Sequence, residues 1–303
     1  MLVAESLPEI AGKSAGVLRV FPLQFSLETL AGFRAPEYTG ASFRGGFGQF
    51  FRDLVCLTRQ PLCRGCPHLA SCPYSLVFEA PVLPERFAIL RKYPNAPHPF
   101  VLAPQLTNQT WISARQILPL AITLIGHSVE YLPHLLRVFE AMGSSGRYGG
   151  RFRIGEVRSA TTGGVVYDGL NRRILDQPAE FENKEKYDAP VHRLQLEFLT
   201  PLRMRTEGRY NSAPSFAEIT QALLRGIHLL RELYGCGQGN TARTHPLLVC
   251  ADNAVTEKSK FNIFHWDRMS GRQHRHINMD GVLGTMTVSG DLTALHPGSN
   301  WGT

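Results

Sequence analysis

Residues 17–28, VLRVFPLQFSLE, alternate apolar and polar side chains at period two, the pattern of a strand with one buried face. Downstream, Phe43-Arg44-Gly45-Gly46-Phe47-Gly48 opens an amphipathic stretch that reads as a helix over residues 42–57. An extended piece at 99–102, a strand at 111–126, a helix at 130–141, a glycine-rich turn at 143–150 and a strand at 151–158 follow. Strand, helix, strand, strand, helix, strand is the order of a ferredoxin-like unit, an antiparallel sheet with two helices on one face. Residues 192–204, HRLQLEFLTPLRM, alternate again and lead into 215–234, where Phe216, Ile219, Leu223, Ile227 and Leu230 share one helical face behind Ser215, a good helix cap.

The chain is therefore expected to be α+β, with tandem ferredoxin-like (RRM-like) domains. Residues 1–167 form the first, with a four-cysteine insertion at 56–72. Residues 168–190, polar and proline-containing, form a connector. Residues 191–303 form the second, whose last helix and strand have no counterpart in the sequence. Within it, 237–260 reads as irregular chain and 273–288 as a hairpin turning at Asp280-Gly281.

A length of 303 residues with 43% hydrophobic content supports two cores. Lysine and arginine number 32 against 25 acidic residues, a net charge of +7, and an arginine-led excess suits a polyanionic partner. The first residues, with Glu5 and Glu9, lack the cationic start and apolar run of a secretory signal. The apolar run 117–126 is too short to span a bilayer. The expected location is cytoplasmic.

Cys56, Cys63, Cys66 and Cys72 are spaced Cys-x6-Cys-x2-Cys-x5-Cys. One tight Cys-x2-Cys pair flanked by two further thiols can complete a tetrahedral shell, so zinc is the expected occupant and an iron–sulfur cluster the second choice. A loop of reduced thiols without metal is the alternative. Cys236 and Cys250 read as buried small apolar side chains rather than a disulfide.

Glycines at the helix start allow close approach by another backbone or a phosphate, at a cost in helix propensity. Arg147, Arg151, Arg153 and Arg158 surround the later glycine-rich turn, where exposed amides and forked guanidinium groups suit phosphate oxygens. Arg268, Arg272, Gln273, His274, Arg275 and His276 form a second basic cluster, and period two sends Gln273 and Arg275 to one face. His98, in Pro97-His98-Pro99-Phe100, reads as a turn residue.

These residues together resemble the pre-CRISPR-RNA processing endoribonucleases of the CRISPR-associated RAMP superfamily, in their cysteine-containing branch. The resemblance rests on residues 43–48 leading into the cysteines and Pro73-Tyr74, on Pro99-Phe100-Val101-Leu102, on 146–152, and on Phe198-Leu199-Thr200-Pro201-Leu202-Arg203. It ends with Arg268-Met269-Ser270-Gly271-Arg272-Gln273 and Gly281-Val282-Leu283-Gly284. It implies a protein that binds the repeat stem-loop of a precursor RNA and cuts it without metal, by attack of a ribose 2'-hydroxyl on the adjacent phosphate. That chemistry needs a base, an acid and cationic or donor groups around the phosphorane. Tyr38, Arg44 and Arg52 are the candidates near the reacting phosphate; Arg147, Arg151, Arg153, Arg272, Gln273 and Arg275 are those for binding RNA.

Where relatives often carry histidine after the Arg-Gly-x-Phe-Gly segment, this chain has Gln49, which cannot exchange a proton near neutral pH. The alternative reading is a catalytically inactive RAMP subunit that holds guide RNA among other CRISPR effector subunits. A third makes the cysteine module a protein contact with no role for RNA.

Overall fold

The computed structural model describes residues 17–35, 38–80, 96–104, 111–147, 150–182, 189–206, 208–235, 245–270 and 275–295. In strand β1 (Val20–Thr29) burial alternates without a fault, so that Phe21, Leu23, Phe25, Leu27 and Thr29 all point inward. Each such phenylalanine or leucine removed from water is worth about 1.5–3 kcal/mol, which fixes the register of the strand, because a slip of one residue would turn all of them outward.

β1 lies between β5 (Ile117–Ile125) and β6 (Phe152–Ser159), antiparallel to both. β3 (Phe100–Pro104) pairs with the far edge of β5. Between these strands run α1 (Thr39–Val55) and α2 (Leu132–Ser145). The order β3-β5-β1-β6, with the helices packed on its buried face, is the ferredoxin-like arrangement expected of the first half. A short pair, β2 (Phe33–Arg34) and β4 (Trp111–Ile112), closes its rim.

Two glycines set how closely the helices pack. A Cβ at Gly48 of α1 would lie 2.3 Å from the Phe78 ring, and one at Gly143 of α2 would lie 2.1 Å from the Phe152 carbonyl. The glycine-rich helix start is thus partly a packing device: α1 gives up side-chain bulk so that an aromatic ring can sit against its backbone. Gly45 differs, since a Cβ there would meet nothing within 4 Å.

The sheet continues past β6 into β7 (Val165–Asp168) and β8 (Arg173–Ile174). Phe181 donates its N–H to the Val20 carbonyl. Much of the stretch expected as a connector therefore lies along the first sheet.

The second half repeats the plan. β9 (Arg193–Leu202) leads through a small ribbon, β10 (Met204–Thr206) and β11 (Arg209–Asn211), into α3 (Phe216–Tyr234). α3 begins at Ser215 as expected, in a full capping box: Ser215 Oγ accepts from the Glu218 N–H, and Glu218 accepts from the Ser215 N–H. α4 (His245–Asn253) and the paired strands β12 (Val255–Ser270) and β13 (Arg275–Ser289) follow. The order β12-β13-β9 reproduces β3-β5-β1, and Phe216, Ile219, Cys250, Met286 and Val288 fill its core. The tandem ferredoxin-like plan is thereby present, the second unit showing three strands and the first helix among the described residues.

Two sequence expectations are corrected in the second half. Residues 245–260 are regular, a helix followed by the start of a long strand. Asp280 and Gly281 lie inside β13, opposite His265 and Phe264, and the pairing runs on past them as far as Ser270 and Arg275. Gly281 serves close packing, since a Cβ there would lie 2.9 Å from Pro201 Cβ. Cys250 is buried as expected, with its thiol on the Asp291 carbonyl at 3.0 Å, while Cys236 falls outside the described residues.

The halves touch through Tyr38, whose ring meets Trp266 and Phe264 at 5.3 and 6.3 Å. The Tyr234 hydroxyl donates to the Pro97 carbonyl at 2.6 Å. No helix among the described residues is long and apolar enough to cross a membrane.

Candidate functional site

α1 carries all three expected catalytic residues at or near its start and end, and the structure turns them toward three different neighbours. Tyr38, at the helix N-cap, packs on the second half, and burial pushes its phenol pKa above the usual range. Arg44 lies over the Phe78 ring at 5.2 Å and places a guanidinium nitrogen 3.0 Å from His98 Nε2. Arg52 donates to the Gln60 carbonyl at the entry of the cysteine loop.

His98 is the residue that sequence reasoning passed over. Its ring meets Phe78 and Phe100 edge-on at 5.5 and 5.6 Å, which fixes the plane of the imidazole beside Arg44. The local signal was present in Pro-His-Pro-Phe, where two prolines stiffen the chain ahead of β3; its contact with α1 depends on tertiary folding. A half-buried imidazole and a guanidinium thus meet beside the start of α1. Such a set can move a proton and bind a phosphate oxygen. Gln49 faces elsewhere, and its amide nitrogen lies 3.0 and 3.1 Å from the two carboxylate oxygens of Asp53.

The arginines expected to bind RNA are sorted by their partners. Gly146 ends α2 in the left-handed conformation, φ +70°, and the Arg151 stem packs against it. Arg147 and Arg151 are exposed on that loop. Arg153 is committed to Glu28 at 2.7 Å, and Arg158 to Glu156 at 2.7 Å, which weakens them as phosphate ligands. Arg275 opens β13 opposite Ser270; Arg272 and Gln273 lie outside the described residues.

Cys56, Cys63, Cys66 and Cys72 line one cavity of about 80 Å³ together with His68. Burial alone would raise the Cys56 thiol, but hydrogen bonds from the Arg59 backbone and the Thr58 and Arg52 side chains bring it below its ordinary value. Burial and the Glu79 carboxylate raise Cys63. The expected zinc shell is not assembled: among the described residues, no group of three or more His, Cys, Asp or Glu side chains is arranged to hold a metal. The spacing brings the four thiols to one cavity.

Comparison with known proteins places both halves. A family profile, AF_1859_N, described as an N-terminal domain, matches residues 18–180, and the profile of the CRISPR-associated endoribonuclease Cas6 matches residues 196–303. A protein of Archaeoglobus fulgidus described as uncharacterized is 27% identical over 175 residues. That match spans 57% of this chain and only 58% of the relative's length. Among solved structures, Thermus thermophilus Cas6 is 18% identical, with 93% of this chain and 89% of that one covered, at a TM-score of 0.46. A partial Cas6-RT-Cas1–Cas2 complex gives 8% identity, 93% and 41% coverage and a TM-score of 0.51, a likeness of fold alone. With one profile spanning more than half of its length, the chain belongs to the AF_1859_N family, and its second half matches the profile of the CRISPR-associated endoribonuclease Cas6.

Proposed function

We propose that the chain is a CRISPR RNA-processing endoribonuclease that binds the repeat stem-loop of a precursor RNA and cuts it without metal. The observation that carries this reading is the Arg44–His98 contact at 3.0 Å, in a chain whose second half matches the Cas6 endoribonuclease profile. Once the phosphate draws Arg44 off His98 Nε2, that nitrogen takes the proton of a ribose 2'-hydroxyl, and the oxygen attacks the adjacent phosphorus. Arg44 compensates the charge gathering on the phosphorane oxygens, and the bond from phosphorus to the 5'-oxygen breaks as that oxygen takes a proton from water. The products are a 2',3'-cyclic phosphate and a free 5'-hydroxyl. Incubating purified protein with the repeat RNA of its own locus in excess chelator is expected to give those two ends. Intact RNA despite tight binding would remove the enzyme and leave the second reading, an inactive RNA-holding subunit, which Gln49 favours because its amide nitrogen is engaged by Asp53.

Repeat RNA and its processed product are the proposed partners, with other CRISPR effector subunits beside them. A Cas6 domain of similar fold in the Cas6-RT-Cas1–Cas2 complex is consistent with such assembly.

A structural zinc in the cysteine loop is also proposed, on the strength of four thiols lining one cavity. Cysteine thiolates suit zinc, which would draw them inward and pin the loop between Val55 and Tyr74; it has no part in the cleavage step. About one zinc per chain is expected by elemental analysis, with loss of thermal stability on chelation. A metal-free protein of full stability would discard the site.

A further inference from the structure

Beyond its pairing with Leu202 of β9, the β12–β13 hairpin runs on as a two-stranded arm. At the base of that arm, three side chains converge on Asp280. The Arg203 Nε–H donates to its carbonyl at 3.2 Å and the Tyr210 hydroxyl to the same carbonyl at 2.6 Å, while His265 Nδ1 lies 2.6 Å from its carboxylate. The Arg203 guanidinium is stacked over the Tyr210 ring at 4.2 Å. Stacking and a held Nε fix the guanidinium plane and leave its two terminal nitrogens to fork onto an anion.

The β10–β11 ribbon adds Arg205 and Arg209, both exposed. None of the three arginines forms an ion pair among the described residues, in contrast to Arg153 and Arg158. The nearby carboxylate of Glu218 is engaged otherwise, accepting from Thr206, Asn211 and the Ser215 backbone, and these bonds tie the ribbon to the first turn of α3. Arg205 pairs with Tyr210 and Arg209 with Thr206, so Arg203 and Arg205 share the Tyr210 face and Arg209 lies on the other; the ribbon is edged by three positive charges with no ion pair among the described residues. A lysine on a flexible stem would stay solvated; the stacked and clamped Arg203 is preorganised.

We propose that this ribbon is a second phosphate-binding surface, which takes a single-stranded segment of RNA through Arg203, Arg205 and Arg209. The proposal rests on the RNA-processing reading for the class of its ligand and is independent of cleavage. The test is fluorescence anisotropy with a 20-nucleotide oligouridylate over a salt series. Three lost phosphate contacts on a single strand make the dependence of log affinity on log salt shallower by about 2. The R203A/R205A/R209A variant is expected to show that change and at least a ten-fold weaker affinity at 0.1 M salt. The R205A/R209A variant, which leaves the Asp280 contacts alone, should lose about 1.4 of slope, and the triple lysine variant should keep it. An unchanged slope and affinity in both alanine variants, or no binding by the wild type, overturns the proposal. Slope loss in a protein that never cuts its repeat RNA would overturn the catalytic reading and leave this surface standing.

Discussion

Replacing His98 with glutamine or Arg44 with alanine is expected to slow cleavage of repeat RNA about 100- to 10,000-fold at saturating protein, the range that a positioned acid–base or charge-stabilising group supplies. The affinity for RNA should change far less, because the loss falls on the transition state. Glutamine at 98 keeps a hydrogen-bonding group near Arg44 but cannot exchange a proton. Lysine at 44 keeps the charge and loses the planar group that lies over Phe78, so its rate should fall between wild type and R44A. Thermal melting of each variant separates a catalytic loss from unfolding of the turn that carries His98. Wild-type rates in both H98Q and R44A would move the reacting phosphate elsewhere, and a rate lost only together with RNA affinity would reduce the pair to a binding role.

Phe47→Ala should be the most damaging single change to the first half. Its ring is wholly buried and meets Phe51, Phe78, Phe100 and Phe139 with centroids 5.2–5.9 Å away. Those partners come from α1 itself, the turn after the cysteine loop, β3 and α2, so one side chain ties four segments of the first core together. Truncation leaves a cavity that stiff rings cannot close, at a cost of about 3–5 kcal/mol. For a body of this size that lowers its melting transition by on the order of 10 °C. A cost under about 1 kcal/mol would mean that the rings reorganise freely and that the cluster does not hold α1 in place.

The sheet-and-helix plan was legible because β1 and β9 alternate so regularly and because Ser215 announces the start of α3. Period and capping are local properties. Asp280-Gly281 misled because the same dipeptide that favours a turn is tolerated in a strand when a neighbour packs where a side chain would go, here Pro201. The helix start could be recognised, but its reason could not: Gly48 answers to Phe78, thirty residues on. Arg44 was identified by its motif, whereas His98 joins it only through the docking of the 96–100 segment against α1. Arg153 and Arg158 read as phosphate ligands, and their pairing with Glu28 on the neighbouring strand β1 and with Glu156 two residues back on β6 was not visible in the glycine-and-arginine pattern.

The arm that carries Phe264 and Trp266 rests on Tyr38, the residue immediately before the helix with Arg44. A strand of RNA gripping the arm would therefore load that contact like a weight on a cantilever, with the fulcrum at the helix start. Force applied far out in the second half would be felt where the first half holds its arginine.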